Sequence, residues 1–289
     1  MTAATLALVL ASAVLHSVWN LWAKQIRDET RSVPLMWLLT TLSAVFYAPV
    51  ALFFAWRTGF QLTPAIGGWM IASALIHVGY FMLLLRGYRT SDLSVVYPVA
   101  RGTGPLLAAA GAVLLLGERL TWAAGAGIVL VTAGILVLTL RPEFMHAPRL
   151  RAGVTYGLLT GVTIAAYTLW DGSAVGRLHL HPIVYYWGGE LVRVAVFSPP
   201  ALAHRDGVRT LWRTHRARVL GIALLSPLSY MLVLIALSTG PISHIAPVRE
   251  LSILFGTWLG ARVLGEGDRT RRMIAGAAFA AGVIALASR

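Results

Sequence analysis

The sequence contains no cysteine. That removes disulfide frameworks, thiolate metal sites and cysteine nucleophiles together. Charge is also scarce. Asp, Glu, Lys and Arg make up 12% of the 289 residues, about half of what a soluble domain carries. Lysine is almost missing: Lys24 is the one lysine among 24 basic residues. There is no HExxH, no GxSxG, no Gly-rich phosphate loop and no His/Asp cluster at metal-ligand spacing. These absences weigh against an intramembrane enzyme. No metal ion and no cofactor is expected.

What is present is apolar. The chain is 57% hydrophobic, with a mean hydropathy of +0.73. The apolar residues fall in runs of about 17–24, long enough to cross ~30 Å of hydrocarbon as helix. Ten such runs are read: 2–23, 33–56, 68–85, 93–116, 121–140, 153–170, 182–202, 219–237, 242–262 and 273–288. The gaps are too short for a separate soluble domain. The expected fold is therefore an all-α integral membrane protein of ten transmembrane helices. The polar continuation of the first run favours a retained helix over a cleaved leader, and no basic n-region precedes it.

A net charge of +13 on a soluble protein would point to nucleic acid. Here it reads as topology, and no nucleic-acid partner is expected. Seventeen basic residues fall in the odd-numbered gaps or, for Arg262, at the edge of one, among them Lys24, Arg86, Arg151, Arg209 and Arg218. The other side holds four: Arg57, Arg119, Arg177 and Arg289. The positive-inside rule puts the seventeen in the cytoplasm. Both termini are then extracytoplasmic, across a bacterial inner membrane. Residues 203–218 become the main cytoplasmic loop, facing anionic headgroups.

One pattern occurs twice. Residues 91–118 and 240–266 are apolar spans with a proline near the start (Pro98, Pro247) and Gly-Glu at the end (Gly117-Glu118, Gly265-Glu266). One further span follows each copy. Residues 1–140 are read as repeat one, 141–152 as a linker and 153–289 as repeat two. Five helices per repeat is an odd number, so the second repeat enters the membrane inverted. Gly153, Gly157 and Gly161 form a stripe on helix six, and Gly256 and Gly260 another on helix nine. Small residues let helix backbones approach in lipid. Packing within the chain is favoured over a homodimer contact, which stays open. Helices five and ten, almost free of polar groups, are placed at the periphery against lipid or a second subunit.

The two five-helix repeats, HSVWNLWAK at 16–24 and the two proline-to-Gly-Glu spans resemble the EamA-type branch of the drug/metabolite transporter superfamily. The resemblance spans essentially the whole chain. It implies a ten-helix basket, a central substrate cavity, and movement of small metabolites driven by an ion gradient or by exchange. Relatives are commonly drawn with cytoplasmic termini; the arginine distribution here favours the opposite.

Ionisable groups within hydrocarbon cost at least ~2.5–3.5 kcal/mol each, so they face a cavity or a partner. Arg101, Glu190, Arg193, Arg249 and Glu250 are the candidates. Glu190 and Arg193 are i,i+3 and can pair along one face. Alternatively Glu190 binds a cationic group or a coupling proton, with Tyr186 and Trp187 offering an aromatic surface to an ammonium. Arg249 and Glu250 are adjacent, so their side chains diverge by about 100° and at least one must reach another helix or a cavity. Both follow Pro247, which frees carbonyls in mid-span. Arg101 and Arg249 read as anion-binding or gating groups, or as structural partners of Glu250 or Glu190. Glu190 and Glu250 are the expected coupling sites.

His16, Trp19 and Asn20 share a face of helix one; Asn20 either lines the cavity or bonds a helix backbone. His77 reads as a packing residue, His244 as a cavity residue. Tyr80, Tyr97, Tyr167, Trp170 and Tyr230 each read either as a cavity wall or as a packing aromatic or interface anchor. Asp171 reads as solvated or capping at the end of helix six. Glu118 and Glu266 read as helix-end signals that position the next helix. The leading functional expectation is a secondary transporter of a small polar or zwitterionic, amino-acid-like metabolite. The runner-up is a transporter of organic cations such as a quaternary amine, with the arginines structural.

Overall fold

The computed structural model of the chain describes residues 1–26, 32–91, 93–139, 149–264 and 269–287. Most of the expected linker, Gly265-Glu266, Arg289 and the side chain of Pro98 lie outside the described residues. All the described secondary structure is helical. The helices are α1 (Ala3–Lys24), α2 (Ser32–Arg57), α3 (Pro64–Thr90), α4 (Leu93–Leu116), α5 (Trp122–Thr139), α6 (Leu150–Gly176), α7 (Pro182–Ala203), α8 (Arg205–Leu237), α9 (Ile242–Arg249), α10 (Leu251–Leu264) and α11 (Arg269–Ala287).

Six of these, α1, α2, α3, α4, α6 and α8, are long and apolar enough to span a membrane. α5 and α11 are apolar but shorter. α7 is long enough, yet it carries Glu190 and Arg193 in its middle. Apart from Thr2 and Thr121 at their starts, the described residues of the ten expected runs fall on helix, with the ninth divided at Glu250 between α9 and α10.

Local chemistry sets these boundaries. The Thr2 and Thr63 side chains accept from the amides of Thr5 and Ile66, capping α1 and α3, and proline opens α3 and α7 at positions where its missing donor costs nothing. The break at Glu250 follows from Pro247. The Glu250 amide turns back to the Pro247 carbonyl at 3.0 Å, a tight three-residue closure that interrupts the α ladder.

Two expectations about the ends need correcting. Residues 203–218 are not an open loop: α8 begins at Arg205 and bends at His215. The apolar side of this arginine-rich turn is buried, with Leu211 packed among Ile26, Leu38, Val219 and Ile222. Glu118 positions a distant helix and not the next one. Its carboxylate accepts from the amides of Ile242 and Ser243 at 2.8 and 2.9 Å, which caps the N-terminus of α9, where a negative charge is favoured.

Packing follows the small residues. The α6 stripe lies against α4, where a Cβ added at Gly157 would sit 2.7 Å from Val99 Cβ. α5 and α11 brace each other: a Cβ at Gly127 would meet the Gly282 carbonyl at 2.7 Å, and Phe279 is fully buried between them. α1 and α2 lie along α8, held by Ser12 Oγ to the Ser229 carbonyl (2.7 Å), Ser43 Oγ to the Ala223 carbonyl (2.9 Å) and Tyr47 OH to the Leu224 carbonyl (2.6 Å). Trp37 joins α2 to α7 through Ser198.

Candidate functional site

Between these helices lies a cavity of about 420 Å³, a size that suits a small metabolite. Its walls come from α1, α2, α3, α4, α6, α7, α8 and α9. The lining runs from His77 and Tyr167 near mid-helix and Arg249 at the end of α9 to Ala23, Met36, Tyr88, Phe197 and Ile222. Those last five lie towards one end of the bundle, the end carrying the α1–α2, α3–α4 and α7–α8 connections. The lining stops short of the other end, hereafter the sealed end. There Trp69 stacks on Trp170 with ring centroids 4.0 Å apart, and Trp170 Nε1 donates to the Trp69 carbonyl at 3.0 Å.

Three guanidinium groups reach this interior, and they are treated differently. Arg101 Nε is 3.0 Å from Glu250 Oε2. Its Nη2 donates to Ser252 Oγ at 3.2 Å and lies 3.4 Å from His16 Nε2. Arg193 Nη2 is 3.0 Å from Glu190 Oε1, which also accepts from the Tyr186 hydroxyl. Glu190 Oε2, although buried, accepts no hydrogen bond among the described residues. Arg249 has no carboxylate at ion-pair distance among the described residues. It donates to the Tyr167 hydroxyl at 2.9 Å and its guanidinium lies 5.8 and 5.6 Å from the Tyr167 and Tyr230 ring centres. A desolvated guanidinium over two aromatic faces is held without being neutralised.

The aromatic wall is continuous. Tyr167 meets Tyr80 at 5.8 Å and Tyr230 at 6.1 Å, and Tyr230 meets Tyr186 at 5.7 Å. Tyr97 lies 5.8 Å from the Arg101 guanidinium. At the α1 side, His16, Trp19 and Asn20 line the space. Asn20 Nδ2 also donates to the His16 carbonyl at 2.7 Å, so both of its expected roles are met at once. Trp19 Nε1 is buried without a partner.

Of the fourteen residues read from the sequence as substrate-binding, eleven line the cavity. Trp187, His244 and Glu250 do not. Trp187 turns to α2 and donates to the Ala44 carbonyl at 2.8 Å. His244 Nδ1 is 2.7 Å from the Leu286 carbonyl on α11. Glu250 is 1% exposed behind Arg101. Two residues read as bland sit at the centre. His77 lines the cavity and stacks on Tyr167 at 4.3 Å. Asp171 is 1% exposed and neither solvated nor a cap. It accepts from Tyr185 at 2.7 Å and from Tyr230 at 2.6 Å, with His77 Nε2 3.9 Å away. The missed signal was the continuation of helix six past Trp170: Tyr167 and Asp171 are i,i+4 on one helical face.

The EamA-like transporter family matches residues 3–140. A solved structure described only as "Crystal structure of protein" is 20% identical, with 99% of this chain and 97% of that chain covered and a TM-score of 0.76. That likeness shows the fold alone. No curated protein matches the sequence. The N-terminal family match and the six long apolar helices support a multi-pass membrane protein, and Arg101, Glu190, Arg193 and Arg249 line a cavity that α1–α4 build jointly with α6–α9.

Proposed function

We propose that the chain is a secondary active transporter of a small amino-acid-like zwitterion. The observation that carries this reading is one cavity holding a guanidinium without a carboxylate and a paired carboxylate with one oxygen free of hydrogen bonds. Arg249 lacks a carboxylate partner, and Glu190 Oε2 lacks any donor. A substrate carboxylate would take the guanidinium, an ammonium would take Glu190, and the tyrosines would pack the side chain.

Residues 1–140 and 153–289 act as inverted repeats in this reading. Support comes from helix partnerships that mirror each other. α1 packs on α8 as α6 packs on α3, α4 packs on α6 as α1 packs on α10, and α2–α7 and α5–α11 pair across the centre. Alternating access rocks one repeat against the other, with the open end at the arginine-rich side, in the cytoplasm of the bacterial inner membrane. Glu250, already engaged by Arg101, supports packing in this scheme, not coupling.

The tyrosine wall around Glu190 also favours a second reading, a quaternary-amine carrier in which Arg249 stays structural. A thermal-shift panel on detergent-purified protein separates the two. Stabilisation by free amino acids, lost in their amides and esters, supports the zwitterion. Stabilisation by quaternary amines and not by amino acids would replace it with the second reading.

A further inference from the structure

We propose that His77 and Asp171 form a proton-binding site that controls the sealed end of the cavity. The inference rests on the alternating-access reading above. Charge counting selects this pair. Glu190 and Glu250 each already have a guanidinium 3.0 Å away, so their counter-charge is in place. Asp171, 1% exposed, has no guanidinium at ion-pair distance among the described residues. Its contacts are two hydroxyls and one imidazole.

The imidazole is poised to accept. His77 Nδ1 is 2.9 Å from the Ser73 carbonyl. A carbonyl only accepts, so Nδ1 carries the hydrogen and the neutral ring keeps its lone pair on Nε2. Nε2 is the atom that faces Asp171 Oδ2, at 3.9 Å. His77 lines the cavity and Asp171 does not, so cavity water delivers the proton to the histidine first. The groups around the ring are Asp171 and Tyr167 from α6, Arg193 (paired with Glu190) from α7, Tyr230 from α8 and Arg249 from α9. On α4, Arg101 is occupied by Glu250.

Protonation forms one N–H bond at Nε2 and nothing else. The resulting imidazolium draws Asp171 from 3.9 Å towards charge-assisted hydrogen-bond length, about 2.8 Å. Both oxygens of Asp171 are in use. Oδ1 holds Tyr185, which also reaches the Trp69 carbonyl at 3.4 Å, next to the Trp69–Trp170 stack. Oδ2 holds Tyr230, whose ring faces Arg249. Moving the carboxylate therefore loosens Tyr185 at the seal and Tyr230 beneath the guanidinium in one step. The proton site, the seal and the anion site share two tyrosines.

The absence of cysteine makes the test direct. Spin labels at Leu62→Cys and Leu178→Cys, both exposed near the sealed end, report its opening. Histidine ¹⁵N spectra report the proton, with His77 assigned as the resonance lost in His77→Gln. On acidification from about pH 8 to about pH 3, a span wide enough for a desolvated imidazole, His77 should gain a proton at Nε2 and the label distance should lengthen. The distance change should vanish in both His77→Gln and Asp171→Asn. A histidine that never protonates, a protonation without movement, or movement that persists in either variant overturns the proposal. Should neither variant fold, the unsubstituted histidines with the labelled pair still decide it. An inert amino-acid panel with an intact pH response would remove the substrate reading and leave this one standing.

Discussion

The Arg101–Glu250 pair offers the sharpest test of how the interior is held. Both side chains are at most 6% exposed and the charges are 3.0 Å apart. At an effective dielectric of ~20 their attraction is about 5 kcal/mol, and removing one partner from a buried pair costs roughly 3–5 kcal/mol because the other charge is stranded. Glu250→Gln leaves Arg101 with Ser252, His16 and the Tyr97 ring but no carboxylate. Arg101→Met leaves Glu250 with no counter-ion. Each single variant should therefore lose about 3 kcal/mol or more of stability. The double variant should recover much of that loss, since a buried pair replaced as a unit is often neutral. Unfolding of detergent-purified protein, followed by helical circular dichroism across a denaturant series, measures all four corners of the cycle. If the two single losses simply add, the residues are not energetically coupled and the reasoning fails.

Other consequences are cheaper to check. Arg249→Ala should abolish thermal stabilisation by amino acids while the empty protein stays folded, and Arg249→Lys should restore only part of it, because a point charge does not replace a planar fork. Gly157→Leu should cost roughly 1–3 kcal/mol through overpacking of α6 on α4, visible as a lower yield of monodisperse protein; Gly68→Ala, with nothing within 4 Å of its Cβ, is the neutral control. Trp187→Phe should lose about 1 kcal/mol with its bond to the Ala44 carbonyl and leave ligand stabilisation unchanged. A membrane-impermeant maleimide applied to intact cells should label Leu62→Cys and spare Arg209→Cys; the reverse pattern would invert the topology read from arginine.

What was legible in the sequence was whatever the bilayer makes expensive. Arg101, Glu190, Arg193, Arg249 and Glu250 stood out because charge in hydrocarbon needs a partner, and all five are buried with identifiable contacts. Less legible was direction around the helix. Tyr186 and Trp187 are neighbours in sequence, yet one step of about 100° sends the first to the cavity and the second to α2. Asp171 was hidden because hydropathy falls after Trp170 and an aspartate followed by glycine reads as a terminus, whereas α6 runs on to Gly176. His77 looked inert because its partners come from α6 and α8, a proximity that no local window contains. Glu118 showed its helix-end character but not its target, since the capped amides belong to α9.

The interior set of three guanidiniums and three carboxylates has an electrical meaning. Arg101, Arg193 and Arg249 against Glu190, Glu250 and Asp171 sum to zero, so in the proposed transport cycle an empty protein, or one bearing a zwitterion, would shift no net charge as it reorients. A proton on His77 makes that sum +1, and its passage through the field is worth ~2.3 kcal/mol per 100 mV. Membrane voltage would then act on the protonated form alone, and transport currents on a supported membrane would rise as the medium is acidified.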